Sequence, residues 1–181
     1  MKSPTRSLLA ALVAASLSGA ADAADLENTL YMDLKDGRVI IEMRPDLAPK
    51  HVAQIKRLTR KGFYDGLVFH RVIEGFMVQG GDPDGNGTGG SGNKLPAEFS
   101  DEQHLRGVTS MARSRNPDSA DSQFFIMLDR SPHLDGSYTV WGKVISGMDF
   151  VDNIKKGDSR RNGAVSNPDK IVRMRVAADV K

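Results

Sequence analysis

The residues in this chain able to do chemistry are few, and one strand-like run carries two of them. In the run Leu67-Val-Phe-His-Arg-Val-Ile73, β-branched and aromatic residues carry His70 and Arg71 on opposite faces of a strand, so one of the two must sit among apolar neighbours. The other candidates are weaker. Ser110, Ser114 and Ser122 have no nucleophile-elbow pattern around them. The four histidines are scattered, with no His-x-His or Glu-x-x-His spacing to mark a metal site; His51 falls on the polar side of an expected helix and His104 in a polar Asp-Glu-Gln-His stretch, both read as surface residues. Cysteine is absent, which removes thiolate nucleophiles, disulfides and Cys-ligated metals.

A glycine-rich segment from Gly80 to Gly92 imitates two ligand motifs and satisfies neither. Gly85-Asn-Gly87-Thr-Gly-Gly90 matches a dinucleotide fingerprint, but it runs into Ser-Gly-Asn-Lys-Leu-Pro instead of the helix whose amides would receive a pyrophosphate. Asp82-x-Asp84-x-Asn86-Gly87 copies the start of an EF-hand loop, with Asn93 where the bidentate Glu should stand and no flanking amphipathic helices. A long exposed turn that needs positive φ is the simpler reading.

The elements that must position these residues follow from periodicity. Leu30, Met32 and Leu34 alternate with polar residues in a half-buried strand, Asp36-Gly37 supplies a tight turn, and Val39 to Met43 returns. Pro49 to Lys61 places Val52, Ile55 and Leu58 on one helical face, with Pro49 suited to the first turn and Gly62 to the stop. Strand-like segments at Leu67–Ile73, Gly107–Met111, Gln123–Leu128, Tyr138–Ile145 and Lys170–Ala177, with a short helix at Met148–Lys155, favour an antiparallel sandwich or barrel over a doubly wound sheet. Lys155-Lys156 and Arg160-Arg161 read as a solvated basic rim.

The chain of 181 residues carries 25 Lys+Arg against 23 Asp+Glu, so the net charge of +2 makes no case for nucleic-acid or polybasic membrane binding. Lys2 and Arg6 precede the apolar run Leu8–Ala15 and the small-x-small triplet Ala21-Asp22-Ala23, the layout of a cleavable secretory signal over residues 1–23. The apolar run is shorter than the roughly 20 residues a membrane span needs. Residues 24–181 then form one exported, nearly neutral domain with no stable membrane insertion, expected in a bacterial periplasm or, second, secreted.

Six segments together are similar to the cyclophilin-type peptidyl-prolyl cis-trans isomerases: Phe69-His-Arg-Val-Ile-Glu-Gly-Phe-Met-Val-Gln-Gly-Gly-Asp82, Asn86-Gly-Thr-Gly-Gly90, Ser110-Met-Ala112, Ser122-Gln-Phe-Phe-Ile126, Leu134-Asp-Gly136 and Val140-Trp-Gly-Lys-Val144. The resemblance covers essentially the whole exported domain. It implies a mainly β fold, a closed eight-stranded antiparallel barrel capped by two α-helices, and acceleration of rotation about X-Pro bonds during the folding of exported proteins, with proline-containing polypeptides as clients. It implies no cofactor and no metal. It makes Arg71, Gln123 and Phe76 catalytic, Gln123 orienting Arg71, and it assigns substrate binding to Met77, Gln79, Gly87, Ala112, Arg113, Ser114, Phe125, His133, Leu134 and Tyr138. The proline ring is expected among Phe76, Met77, Phe125 and Leu134.

Four positions depart from the family pattern. Met111-Ala-Arg113-Ser114 stands where many members have Met-Ala-Asn-Ala, so Arg113 is expected to contribute its backbone; His133 replaces a groove-rim Trp; and Tyr138 replaces a His. Loss of the indole removes a large contact surface and a donor, so weak cyclosporin binding is expected. A monomer is expected. The alternative reading is a non-catalytic proline-peptide binding module or holdase chaperone; a hydrolase would require a covalent intermediate that no serine environment here suggests.

Overall fold

The computed structural model describes residues 25–181; the expected signal segment 1–23 and its expected cleavage point lie outside them. Eight antiparallel strands, β1 (Thr29–Leu34), β2 (Gly37–Met43), β3 (Arg71–Ile73), β4 (Met77–Gly80), β5 (Val108–Met111), β6 (Phe124–Met127), β7 (Val140–Ser146) and β8 (Arg173–Val176), form one curled sheet in the order β3-β4-β6-β5-β7-β2-β1-β8. Two helices accompany it, α1 (Pro49–Arg60) and α2 (Met148–Asp152), the second ending three residues before the expected Lys155. No helix of the described residues is long and apolar enough to cross a membrane.

The sheet is open, which corrects the expected closed barrel. β3 and β8 are its two edges, and the short β3 gives its outer backbone groups to a loop instead of to β8: Val72 N–H donates to Gly163 O at 2.8 Å, and Gly157 N–H donates to Val72 O at 3.0 Å. Further along, Phe69 N–H donates to Asp169 O at 2.9 Å and Ile171 N–H to Leu67 O at 2.9 Å, so the gap is filled by the segment before β8. The expected strand Leu67–Ile73 therefore shortens to its last three residues, and Met77–Gly80 is a strand that periodicity did not reveal, its polar Gln79 and Gly80 breaking the apolar pattern. The first hairpin loop is Lys35-Asp36, one residue earlier than expected, with Gly37 already paired opposite Leu34.

The strand period of two divides the apolar residues into two cores. On β6, Phe124 and Ile126 face the main core with Trp141, Tyr64 and Phe69, while Phe125 and Met127 face a second cluster with Met77, Val108, Leu134 and Val140. Phe124 stands edge-on between Trp141 and Tyr64, with ring centroids 5.8 and 5.7 Å apart. β6 is thus buried on both faces, which is why its sequence reads as an unbroken apolar run.

α1 begins at Pro49 without a local side-chain cap; the distant Glu98 carboxylate accepts from the N–H groups of Lys50 and His51, each at 3.1 Å, and meets His51 Nδ1 at 2.7 Å. That acceptor draws His51 into full burial, contrary to its expected surface place. His104 is also fully buried, because Asp135 and Ser110 engage both of its ring nitrogens, at 3.1 and 3.0 Å.

Candidate active site

Register brings the site residues together. Arg71 on β3 lies opposite Gln79 on β4, Gln79 opposite Phe125 on β6, and Phe125 opposite Ser110 on β5, one cross-strand row running from the sheet edge inward. Arg71 Nη1 donates to Gln79 Oε1 at 3.0 Å, Gln79 Nε2 to Gln123 Oε1 at 3.0 Å, and Gln123 Nε2 to Gly89 O at 2.8 Å. Gln123 therefore acts on Arg71 through Gln79, where direct orientation had been expected.

From the other side, Arg71 Nε donates to Asn162 O and Nη2 to Asn162 Oδ1, both at 3.0 Å. Asn162 has left-handed backbone, φ 53°, and is followed by Gly163 at φ 79°, whose backbone lies against β3: a Cβ there would come within 2.5 Å of Ile73 Cγ1. No carboxylate pairs with Arg71 among the described residues. Burial alone pulls the guanidinium somewhat below its ordinary pKa, and Tyr138 opposes that slightly. Neighbouring His70 is almost fully buried and its two ring nitrogens find no partner; burial lowers its pKa, so it stays neutral beside the cation.

A cavity of about 480 Å³ opens in front of Arg71. Ten of the expected residues line it: Arg71, Phe76, Met77, Gln79, Gly87, Ala112, Arg113, Phe125, Leu134 and Tyr138. An adjoining cavity of about 430 Å³ shares Gln79, Gly87, Ala112 and Arg113 and adds Ser114 and Gln123, so the two make one groove. His133 lines neither; it is exposed and lies against Phe76 with ring centroids 5.7 Å apart. Arg113 departs from expectation. Its side chain lies over the Tyr138 ring at 4.5 Å, its Nε and Nη2 donate to Ser137 O at 3.1 and 2.7 Å, and it faces both cavities, so it contributes more than backbone.

The apolar wall is propped from behind. His104 stacks on Phe125 with centroids 6.2 Å apart at 20°, and Phe125 meets Tyr138 edge-on at 5.6 Å. Ser110, His104 and Asp135 thus form a serine–histidine–carboxylate chain, but Ser110 and His104 are fully buried and neither lines the groove, so the chain supports Phe125 and presents no nucleophile.

The glycine segment is fixed by two carboxylates. Burial opposes ionisation of Asp82, and the N–H groups of Asp84, Gly87 and Asn86 more than offset it, at 2.9, 2.5 and 3.0 Å. Asp121 accepts from Ser91 N–H and Gly92 N–H at 2.9 Å each. Asp82 thus binds backbone amides, where the calcium motif would have it bind a cation. Among the described residues no group of three or more His, Asp or Glu is placed to hold a metal.

Sequence reasoning missed Asn162 and the groove role of Arg161, which is exposed as a rim residue should be and also lines the first cavity. The Asn162-Gly163 dipeptide signals a left-handed turn, but nothing local tells that it reaches an arginine 91 positions away.

Comparison with known proteins agrees with this geometry. The family model described as cyclophilin type peptidyl-prolyl cis-trans isomerase matches residues 29–176. The chain is 59% identical to a probable peptidyl-prolyl cis-trans isomerase of Brucella suis, covering 97% of this chain and 98% of that one. It is 47% identical to peptidyl-prolyl cis-trans isomerase B of Bacillus subtilis, over 72% of this chain and 92% of the relative. Among solved structures, a cyclophilin from Hirschia baltica superposes with TM-score 0.77 at 29% identity, covering 87% of this chain and 76% of that chain. A Cryptosporidium parvum cyclophilin determined in the presence of the dipeptide Ala-Pro superposes with TM-score 0.74 at 29% identity, covering 82% and 98%.

Proposed function

The chain belongs to the cyclophilin-type peptidyl-prolyl cis-trans isomerases and accelerates rotation about X-Pro bonds, and we propose that Arg71 is the group through which it does so, acting on unfolded stretches of exported proteins. One observation carries this assignment: a guanidinium without a carboxylate partner is clamped by Gln79 and Asn162 at the edge of an apolar slot.

Rotation breaks no covalent bond; it has to overcome the amide resonance that sets a barrier of about 18–20 kcal/mol. The prolyl nitrogen recovers a lone pair only as the amide twists, so a donor held beside it binds the twisted state more strongly than either planar isomer. Two of Arg71's five N–H groups have no oxygen acceptor in the protein, which leaves donors for this purpose. Proline lacks an amide hydrogen, so its ring enters the slot of Phe76, Met77, Phe125 and Leu134 without burying an unpaired donor.

Uncatalysed isomerisation takes roughly 10–100 s. Reaching milliseconds requires about 6 kcal/mol at 1.36 kcal/mol per decade. One charge-assisted hydrogen bond contributes about 1.5–3 kcal/mol, so the remainder comes from the dry slot and from holding the flanking peptide. The clamp on Arg71 removes reorganisation from that balance. A binder without turnover has no use for a cation held in this way, which argues against the binding-module reading.

The signal layout of residues 1–23 supports export to the periplasm. Exchange spectroscopy on an X-Pro peptide with and without the purified 24–181 domain tests the catalysis: line exchange should accelerate at catalytic protein concentrations, and unchanged rates would refute it. Intact mass of protein released by osmotic shock tests the export: it should lack residues 1–23, and an uncleaved cytoplasmic product would contradict it.

A further inference from the structure

We infer that this enzyme prefers prolines flanked by an acidic residue, because its groove presents fixed cations and leaves their charge unanswered. The inference rests on the isomerase reading and narrows its substrate class.

Three arginines, Arg71, Arg113 and Arg161, line the first cavity, and among the described residues no carboxylate does. The adjoining cavity adds Lys94; its carboxylate, Asp121, is already engaged by the amides of Ser91 and Gly92 that it anchors. This concentration is local, since the whole chain carries 25 basic against 23 acidic residues.

Arg113 is the central element. It lies where the two cavities meet, over the Tyr138 ring at 4.5 Å, and its three hydrogen bonds within the protein go to two backbone carbonyls: Ser137 O from Nε and Nη2, and Ser114 O from Nη1 at 2.9 Å. Carbonyl dipoles hold the guanidinium in place without cancelling its charge, and two N–H groups stay available to a ligand. A rigid cation loses little freedom when a carboxylate arrives, so the usual entropic cost of an exposed ion pair is reduced. Arg161 is exposed, forms no ion pair among the described residues, and flanks the Asn162 clamp. A lysine on the substrate would meet like charges in the same positions.

The test uses tetrapeptides with Glu, Gln or Lys directly before the proline, and a second set with the same residues directly after it, measured by exchange spectroscopy and normalised to each peptide's uncatalysed rate. Protease coupling is avoided because a protease adds its own charge preference. In at least one set, catalytic efficiency should fall in the order Glu, Gln, Lys, with about three- to tenfold between the extremes at low salt. That ratio should shrink towards one at ~0.5 M salt, where screening lengths are shorter than about 10 Å. In an Arg113→Asn, Arg161→Gln variant the Glu-to-Lys ratio should collapse, with thermal melting reporting that the fold is intact. Equal turnover of the three peptides in both sets, or a Glu preference that survives the double substitution, would overturn the inference and leave the isomerase reading standing. Absence of turnover with every peptide would overturn that reading itself.

Discussion

Replacing Asn162 by glycine isolates one strut of the Arg71 clamp. Glycine tolerates the left-handed backbone at φ 53°, so the bond from Arg71 Nε to the carbonyl of residue 162 survives and the bond from Nη2 to Oδ1 is lost. Asn162 is exposed, so the lost bond lies at the low end of the range for charged partners, about 1.5 kcal/mol. If all of it acts on the twisted state, kcat/KM falls about tenfold. Arg71→Ala should cost around two decades through loss of one preorganised donor of about 3 kcal/mol. Because Asn162 acts through Arg71, the double variant should resemble Arg71→Ala alone, about 100-fold down and not about 1000-fold. Thermal unfolding should barely move for Asn162→Gly, within about 0.5 kcal/mol as for an ordinary surface position. Additive losses in the double variant, or a kcat/KM unaffected by Asn162→Gly, would refute the clamp.

Other consequences follow from the same packing. Burial sets the pKa of His70 and His104 below the ordinary 6.5, so the unfolded chain takes up protons first as the pH falls; Tm should be highest above about 6.5 and decline from pH 7 to pH 5, whereas a flat or rising Tm would contradict the burial. Glu98→Ala removes both the cap of α1 and the partner of buried His51, and should destabilise by about 1–3 kcal/mol in denaturant unfolding, while a neutral result would show that water replaces it. Phe124→Ala should cost about 3–5 kcal/mol of stability because that ring fills the main core, whereas Phe125→Ala should also depress kcat/KM, because its ring walls the slot. Cyclosporin inhibition should be weak, since His133 stands outside the cavity against Phe76; a nanomolar-class titration would contradict this.

The sequence made the strands with clean alternation legible, as at Leu30, Met32 and Leu34, and made α1 legible from its apolar face and its flanking Pro49 and Gly62. It hid β4, where Gln79 and Gly80 interrupt the apolar pattern because they face the groove and the close-packed Phe69. It also misplaced His51 and His104, whose burial depends on Glu98 and Asp135, residues 47 and 31 positions away. Most of the groove was legible because its residues lie in contiguous motifs. Asn162 was not, because its role arises only where an edge strand and a distant turn meet. The open sheet has the same origin: whether two edge strands pair depends on which loop reaches their free backbone groups first, and in β3 that loop carries Gly157 and Gly163.

The role of Arg71 is tested by the rate at which an X-Pro peptide interconverts in the presence of the wild-type domain and of a folded Arg71→Ala variant, at equal concentration and with the fold verified by thermal melting. Rapid exchange is expected with the first and an efficiency lower by about two decades with the second. Equal rates from the two proteins would contradict it.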